Sequence, residues 1–167
     1  MKRLIIFVCI GVLGMGIYFY RTQVAYPDVS RVRYTLIDGR HIEMQAFKGR
    51  PLIVSFWATS CVSCIKEIPE LIKLYGKYSA KGLEIIGVAM PYDRPDHVLE
   101  FVKTHNLPYP IALDIDANIV RAFGNIKVTP NNFLIDPDGG IHSQHVGILD
   151  FRKTEQWLQS AIHNLKH

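Results

Sequence analysis

Apolar and polar positions along the chain change period several times, and each change marks an element. Leu52-Ile53-Val54-Ser55-Phe56 is a short, nearly continuous apolar run after Gly49-Arg50-Pro51, and reads as a buried central strand. From Ile65 to Tyr75 the apolar residues recur at three and four, which is a helix period. Glu84–Ala89 repeats the buried-strand pattern, and Asp96 is placed to cap a helix running to about His105. Pro108–Asp114 reads as extended, followed by a short helix over about 117–123 that stops at Gly124. Two strands follow, Asn132–Ile135 and Ile141–Val146, joined by Asp136-Pro137-Asp138-Gly139-Gly140; Phe151–Leu165 is a closing helix with Asp150 as its cap. Near the start, Arg33–Ile37 and His41–Met44 flank Asp38-Gly39-Arg40, a hairpin signal. Strands alternating with helices before a final hairpin predict an α/β fold whose central mixed sheet is flanked by helices.

Composition limits the classes. At 167 residues and 49% apolar content, one domain with a full core is expected. The formal charge of +4 belongs mostly to the N-terminus. Without Lys2, Arg3 and Arg21, 16 of the 19 basic residues remain against 15 acidic ones, so nothing marks a nucleic-acid surface. Leu4–Tyr20 is an uncharged apolar run bracketed by those three cations, and Gln23-Val24-Ala25-Tyr26 is a poor cleavage site. Residues 1–21 therefore read as an uncleaved membrane anchor, with a cleaved signal peptide as the alternative, 22–32 as a polar tether and 33–167 as the folded domain. The basic N-terminus stays in the cytoplasm under the positive-inside rule, which places the domain on the extracytoplasmic side of the inner membrane. Cys9, inside the apolar run, reads as a buried side chain.

The chemistry sits where the Leu52–Phe56 strand turns into the helix that follows it. Cys61-Val62-Ser63-Cys64 puts the cysteines at the helix start, with Cys61 at its first position. Helical pitch separates their Cα atoms by ~5 Å, within disulfide range. The helix N-terminus favours a thiolate on Cys61. Such a pair reads as a dithiol redox centre. Half of a zinc site is the alternative, and two of the seven histidines could complete it. His142 and His145 are three apart on a strand and so fall on opposite faces.

Phe56-Trp57-Ala58-Thr59, Cys61 and Cys64, Glu67, Pro69, and Val128-Thr129-Pro130 before Asn131-Asn132-Phe133-Leu134-Ile135-Asp136 together resemble the membrane-tethered TlpA/ResA/CcmG branch of thioredoxin-fold thiol-disulfide oxidoreductases. The similarity spans about residues 33–163. It implies a thioredoxin-like fold with an N-terminal β-hairpin and a central αβ insert. It also implies a cis Thr129–Pro130 bond facing the disulfide, where a trans proline would be the expectation from sequence alone. Thr129 would then offer backbone groups to an incoming peptide. Glu67, one turn past Cys64, becomes the candidate proton acceptor, because Ser55 stands where plain thioredoxin keeps an aspartate. Trp57 is expected to be partly core and to shield the disulfide at the substrate site, and Pro69 to kink the helix. Two departures stand out: Ser60 replaces an aromatic, and Val62-Ser63 carries no charge or proline and adds nothing to thiolate stabilisation beyond the helix terminus.

The resemblance implies a membrane-anchored dithiol reductase in cytochrome c biogenesis, with no cofactor beyond the Cys61–Cys64 disulfide. Its partners would be client proteins with paired cysteines, such as apocytochrome c, and a membrane electron donor. A Cu(I) metallochaperone, or a reductant of a copper-site cysteine pair, is the alternative, because two thiolates suit soft metals. Relatives of that kind use one more residue between the cysteines and a distal histidine. A peroxidase would want a cysteine framed by proline and threonine, which is missing here.

Overall fold

The computed structural model describes residues 26–165. The anchor and Cys9 lie outside the described residues, and among those described no helix is long and apolar enough to cross a membrane.

Seven strands and four helices form: β1 (Arg33–Thr35), β2 (His41–Glu43), β3 (Leu52–Trp57), α1 (Val62–Tyr78), β4 (Glu84–Ala89), α2 (Pro95–His105), β5 (Ile111–Leu113), α3 (Asn118–Ala122), β6 (Asn131–Ile135), β7 (Ile141–Val146) and α4 (Phe151–Asn164). The Asp-Gly hairpin is present as β1–β2, with Tyr34 opposite Ile42. The main sheet runs β5-β4-β3-β6-β7; β3 pairs parallel to β4 and antiparallel to β6.

The central position of β3 explains its composition. All six of its residues are buried, because neighbouring strands cover both edges and other elements cover both faces. Leu52, Val54 and Phe56 face one core with α3 and the N-terminal hairpin, where Phe56, Phe123 and Phe133 meet edge to face. Ile53 and Trp57 face a second core built with α1, α2 and α4. Each large apolar side chain fully buried there contributes ~1.5–3 kcal/mol.

One sequence expectation shifts. Asp96 does not cap α2; the cap position is Arg94, Pro95 opens the helix, and Asp96 pairs with the Arg94 guanidinium at 2.7 Å. Proline tolerates the first turn because its missing N–H would be unpaired there anyway. Pro69 lies within α1, yet the helix continues to Tyr78. Asp150 does cap α4, accepting from the Lys153 N–H at 3.2 Å, and Gly124 with φ +91° ends α3 in a conformation that favours glycine.

Candidate functional site

Cys61 and Cys64 form a disulfide, with Cα atoms 5.2 Å apart. Cys61 is the N-cap of α1 rather than its first residue: its backbone is extended, and its Sγ accepts from the Cys64 N–H at 3.2 Å. A sulfur at that place meets an amide that the helix leaves unpaired, together with the positive end of the helix dipole. The Ser63 hydroxyl lies 3.4 Å from Cys61 Sγ. The intervening pair therefore does contribute a polar contact to this sulfur, contrary to the reading from residue type alone; a neutral hydroxyl folded back by the first helical turn is invisible in a charge count.

Exposure separates the two cysteines. Cys61 is half-buried and lines an open groove of about 570 Å³ with Ser60, Val62, Lys66, Tyr92, Thr129 and Ile148. Cys64 is 1% exposed and packs among Trp57 and Ile68. The Thr129–Pro130 bond is cis, and Gly147 N–H donates to the Pro130 carbonyl at 2.8 Å. Thr129 is half-exposed on the groove wall while Pro130 is buried. Trp57 sits beneath this surface at 3% exposure, its ring 5.2 Å from that of Phe101. Its place is support for the strand end, not the rim that an incoming peptide would touch.

Glu67 is buried at 1% exposure. Its Oε1 accepts from the Leu149 N–H at 2.7 Å and from Asn132 Nδ2 at 3.0 Å, and Oε2 lies 3.2 Å from the same nitrogen. Burial pushes the carboxyl above the usual glutamate range, against the pull of the Leu149 and Asn132 donors. Tyr109 is also held protonated, first by burial and then by the charge of Glu67.

Asn132, Leu149 and Asp93 escaped the sequence reading. Asp93 follows β4 and grips Thr59 twice, accepting from its N–H at 2.5 Å and its hydroxyl at 2.7 Å. That clamp holds the turn between β3 and Cys61. Asp93 lies 34 residues from Thr59, so no local spacing signals it. Among the described residues no group of three or more His, Cys, Asp or Glu is placed to hold a metal. His142 instead contacts Asp136 at 3.1 Å, and His145 contacts Ser143 at 3.1 Å.

Comparison with known proteins agrees with this geometry. The chain matches the AhpC/TSA family over residues 25–144. It is 33% identical over 164 residues to thiol-disulfide oxidoreductase ResA of Bacillus thuringiensis subsp. konkukian, covering 95% of this chain and 93% of that one. Over 126 residues it is 38% identical to ResA of Bacillus cereus, covering 75% and 71%. The crystal structure of a thioredoxin-family thiol:disulfide interchange protein from Chlorobium tepidum is similar with a TM-score of 0.72 at 26% identity, covering 83% of this chain and 98% of that one.

Proposed function

This chain belongs to the AhpC/TSA family and is a thiol-disulfide oxidoreductase of the ResA type, and from that premise we propose that it reduces protein disulfides outside the cytoplasm while anchored by residues 4–20. The observation that carries the reading is the asymmetry of the dithiol. Cys61 opens on the groove, whereas Cys64 is buried one helical turn before a buried carboxyl.

The reaction divides between those positions. The Cys61 thiolate attacks one sulfur of a client disulfide, forming a mixed disulfide and releasing the client's other sulfur as a thiolate, which takes up a proton. Cys64 then gives its proton to Glu67, and its thiolate attacks Cys61 Sγ. The mixed disulfide breaks, the client's second sulfur leaves as a thiolate and takes up a proton as Glu67 releases the one it received, and the Cys61–Cys64 disulfide remains. Two electrons and two protons have passed to the client, and a membrane dithiol donor must return them. The groove beside Thr129 suits an extended client segment, which would pair with backbone there as an added strand. Paired cysteines such as those of apocytochrome c fit this chemistry.

Two measurements test the reading. In cells, Cys64→Ala should accumulate mixed disulfides with client proteins and Cys61→Ala should not; the reversed pattern would overturn the assignment. The full-length chain should fractionate with membranes, and its Cys61 should react with a membrane-impermeant thiol reagent added outside the inner membrane. A shortened soluble product would remove the anchor from the proposal.

A further inference from the structure

We propose that Asn132 is the positioning residue for Glu67, its amide donating to the ionised carboxylate and turning over to accept from the protonated acid. The inference rests on the proton-carrying role given to Glu67 above. Asn132 is fully buried on β6, two residues past the cis proline, and in register with Ser55 of β3. Its Nδ2 reaches both carboxyl oxygens of Glu67 at 3.0 and 3.2 Å, and the Leu149 N–H donates to one of them at 2.7 Å. Both neighbours are donors, which suits a carboxylate. A protonated carboxyl brings an O–H of its own, and a buried O–H needs an acceptor.

The same amide holds one in reserve. Asn132 Oδ1 is buried with no hydrogen-bond partner. A native fold rarely leaves such an atom idle, because a buried unpaired carbonyl oxygen costs free energy. A half-turn about the last side-chain bond exchanges Oδ1 and Nδ2 at nearly unchanged shape. It exchanges the two Nδ2 donations to Glu67 for one acceptance by Oδ1, and also gives up a 3.5 Å contact from Nδ2 to the Gly147 carbonyl, at the outer limit of a hydrogen bond. After the turn, Oδ1 faces Glu67 and accepts a hydrogen bond from its O–H. One side chain thus serves both protonation states that resolution of a mixed disulfide requires.

Other ionisable groups face this pair. Cys64 lies one turn earlier on α1, and the Tyr109 hydroxyl, from the segment before β5, feels the charge of Glu67. His145 of β7 stands in register with Asn132 and contacts Ser143. The loop before α4 contributes the neutral Leu149 N–H.

The experiment uses the full chain in mild detergent, with 13C-carboxyl-labelled glutamate and the Glu67 resonance assigned by its absence in Glu67→Gln. Asn132→Leu, similar in volume and without donors, should bind the Glu67 proton about tenfold more tightly than wild type. Asn132→Asp should tighten it further, because two adjacent carboxyls share one proton. The pH profile for reduction of a model protein disulfide should move in the same direction in both variants. His145→Gln should leave the Glu67 midpoint in place. In wild type, the Asn132 side-chain NH2 resonances should titrate with the Glu67 midpoint. An unmoved midpoint in folded Asn132→Leu overturns the proposal; if that variant does not fold, an unmoved midpoint in Asn132→Asp does so. If Glu67→Gln changes neither thiol titration nor rate, the role of Glu67 in the reaction fails, whereas the hold of Asn132 on the carboxyl is still decided by the resonance.

Discussion

Among the described residues two carboxylates are buried, one at the dithiol end and one in the insert after β5, and they are enclosed differently. Asp114 accepts from the Ile119 N–H at 2.9 Å and the Val120 N–H at 2.7 Å, one donor to each oxygen. Those donors lie five and six residues away and are the unpaired amides at the start of α3. Glu67 instead draws Asn132 from 65 residues away and Leu149 from 82. The first arrangement closes within one loop and satisfies helix amides; it is structural. The second closes only when α1, β6 and the loop before α4 have docked, so it ties a proton site to the assembled dithiol.

The sharpest way to break this contrast is to remove each carboxyl. Asp114→Ala should destabilise the fold by about 2–3 kcal/mol, since it orphans two buried amides, while reduction per folded molecule stays unchanged. Urea unfolding alongside a disulfide reduction assay reads both quantities. An active-site defect in this variant would erase the distinction.

Glu67→Gln should do the reverse. Disulfide reduction should slow by about a hundredfold, the lower end of the range for a lost general base, and the thiols should titrate at lower pH once a neighbouring negative charge is gone. Stability carries a second signature. Because burial raises the Glu67 carboxyl above its ordinary 4.5, the folded chain holds more protons than the unfolded chain in the window above that value. Stability from this group is thus fully present below 4.5 and is lost as pH rises through the raised folded value. Urea midpoints against pH should show that decline in wild type and lack it in Glu67→Gln.

The smallest effect sharpens the dithiol side. Ser63→Ala should make the Cys61 thiol harder to ionise by ~0.5–1.5 kcal/mol, the worth of one hydrogen bond, with no change in unfolding. Thiolate absorbance against pH measures it. An unchanged titration would leave the Cys64 N–H and the helix terminus as the donors that matter.

Much of the fold is legible without coordinates because its signals are local. Strand β3 shows as an apolar run, α1 as a three-and-four repeat, the first hairpin as Asp38-Gly39, and the start of α4 as Asp150. Cys61 and Cys64 were legible for the same reason, since three residues at a helix start bring two sulfurs together wherever that helix packs. Helix edges were less so: Cys61 proved to be the N-cap and Arg94, not Asp96, preceded α2. A cap is chosen by the backbone angles of one residue, and these depend on how the chain enters the helix.

The sequence by itself determined the pattern of elements, the reactive pair and the placement of a carboxylate one turn beyond it. Spacing along a strand or helix is enough for each. Only the tertiary structure decided that Trp57 lies under the groove, that Asp93 clamps Thr59, and that Glu67 is buried against Asn132 and Leu149. These contacts join residues 34 to 82 positions apart. Protonation depends on burial and on hydrogen-bond partners, and both are supplied by whatever the fold brings alongside.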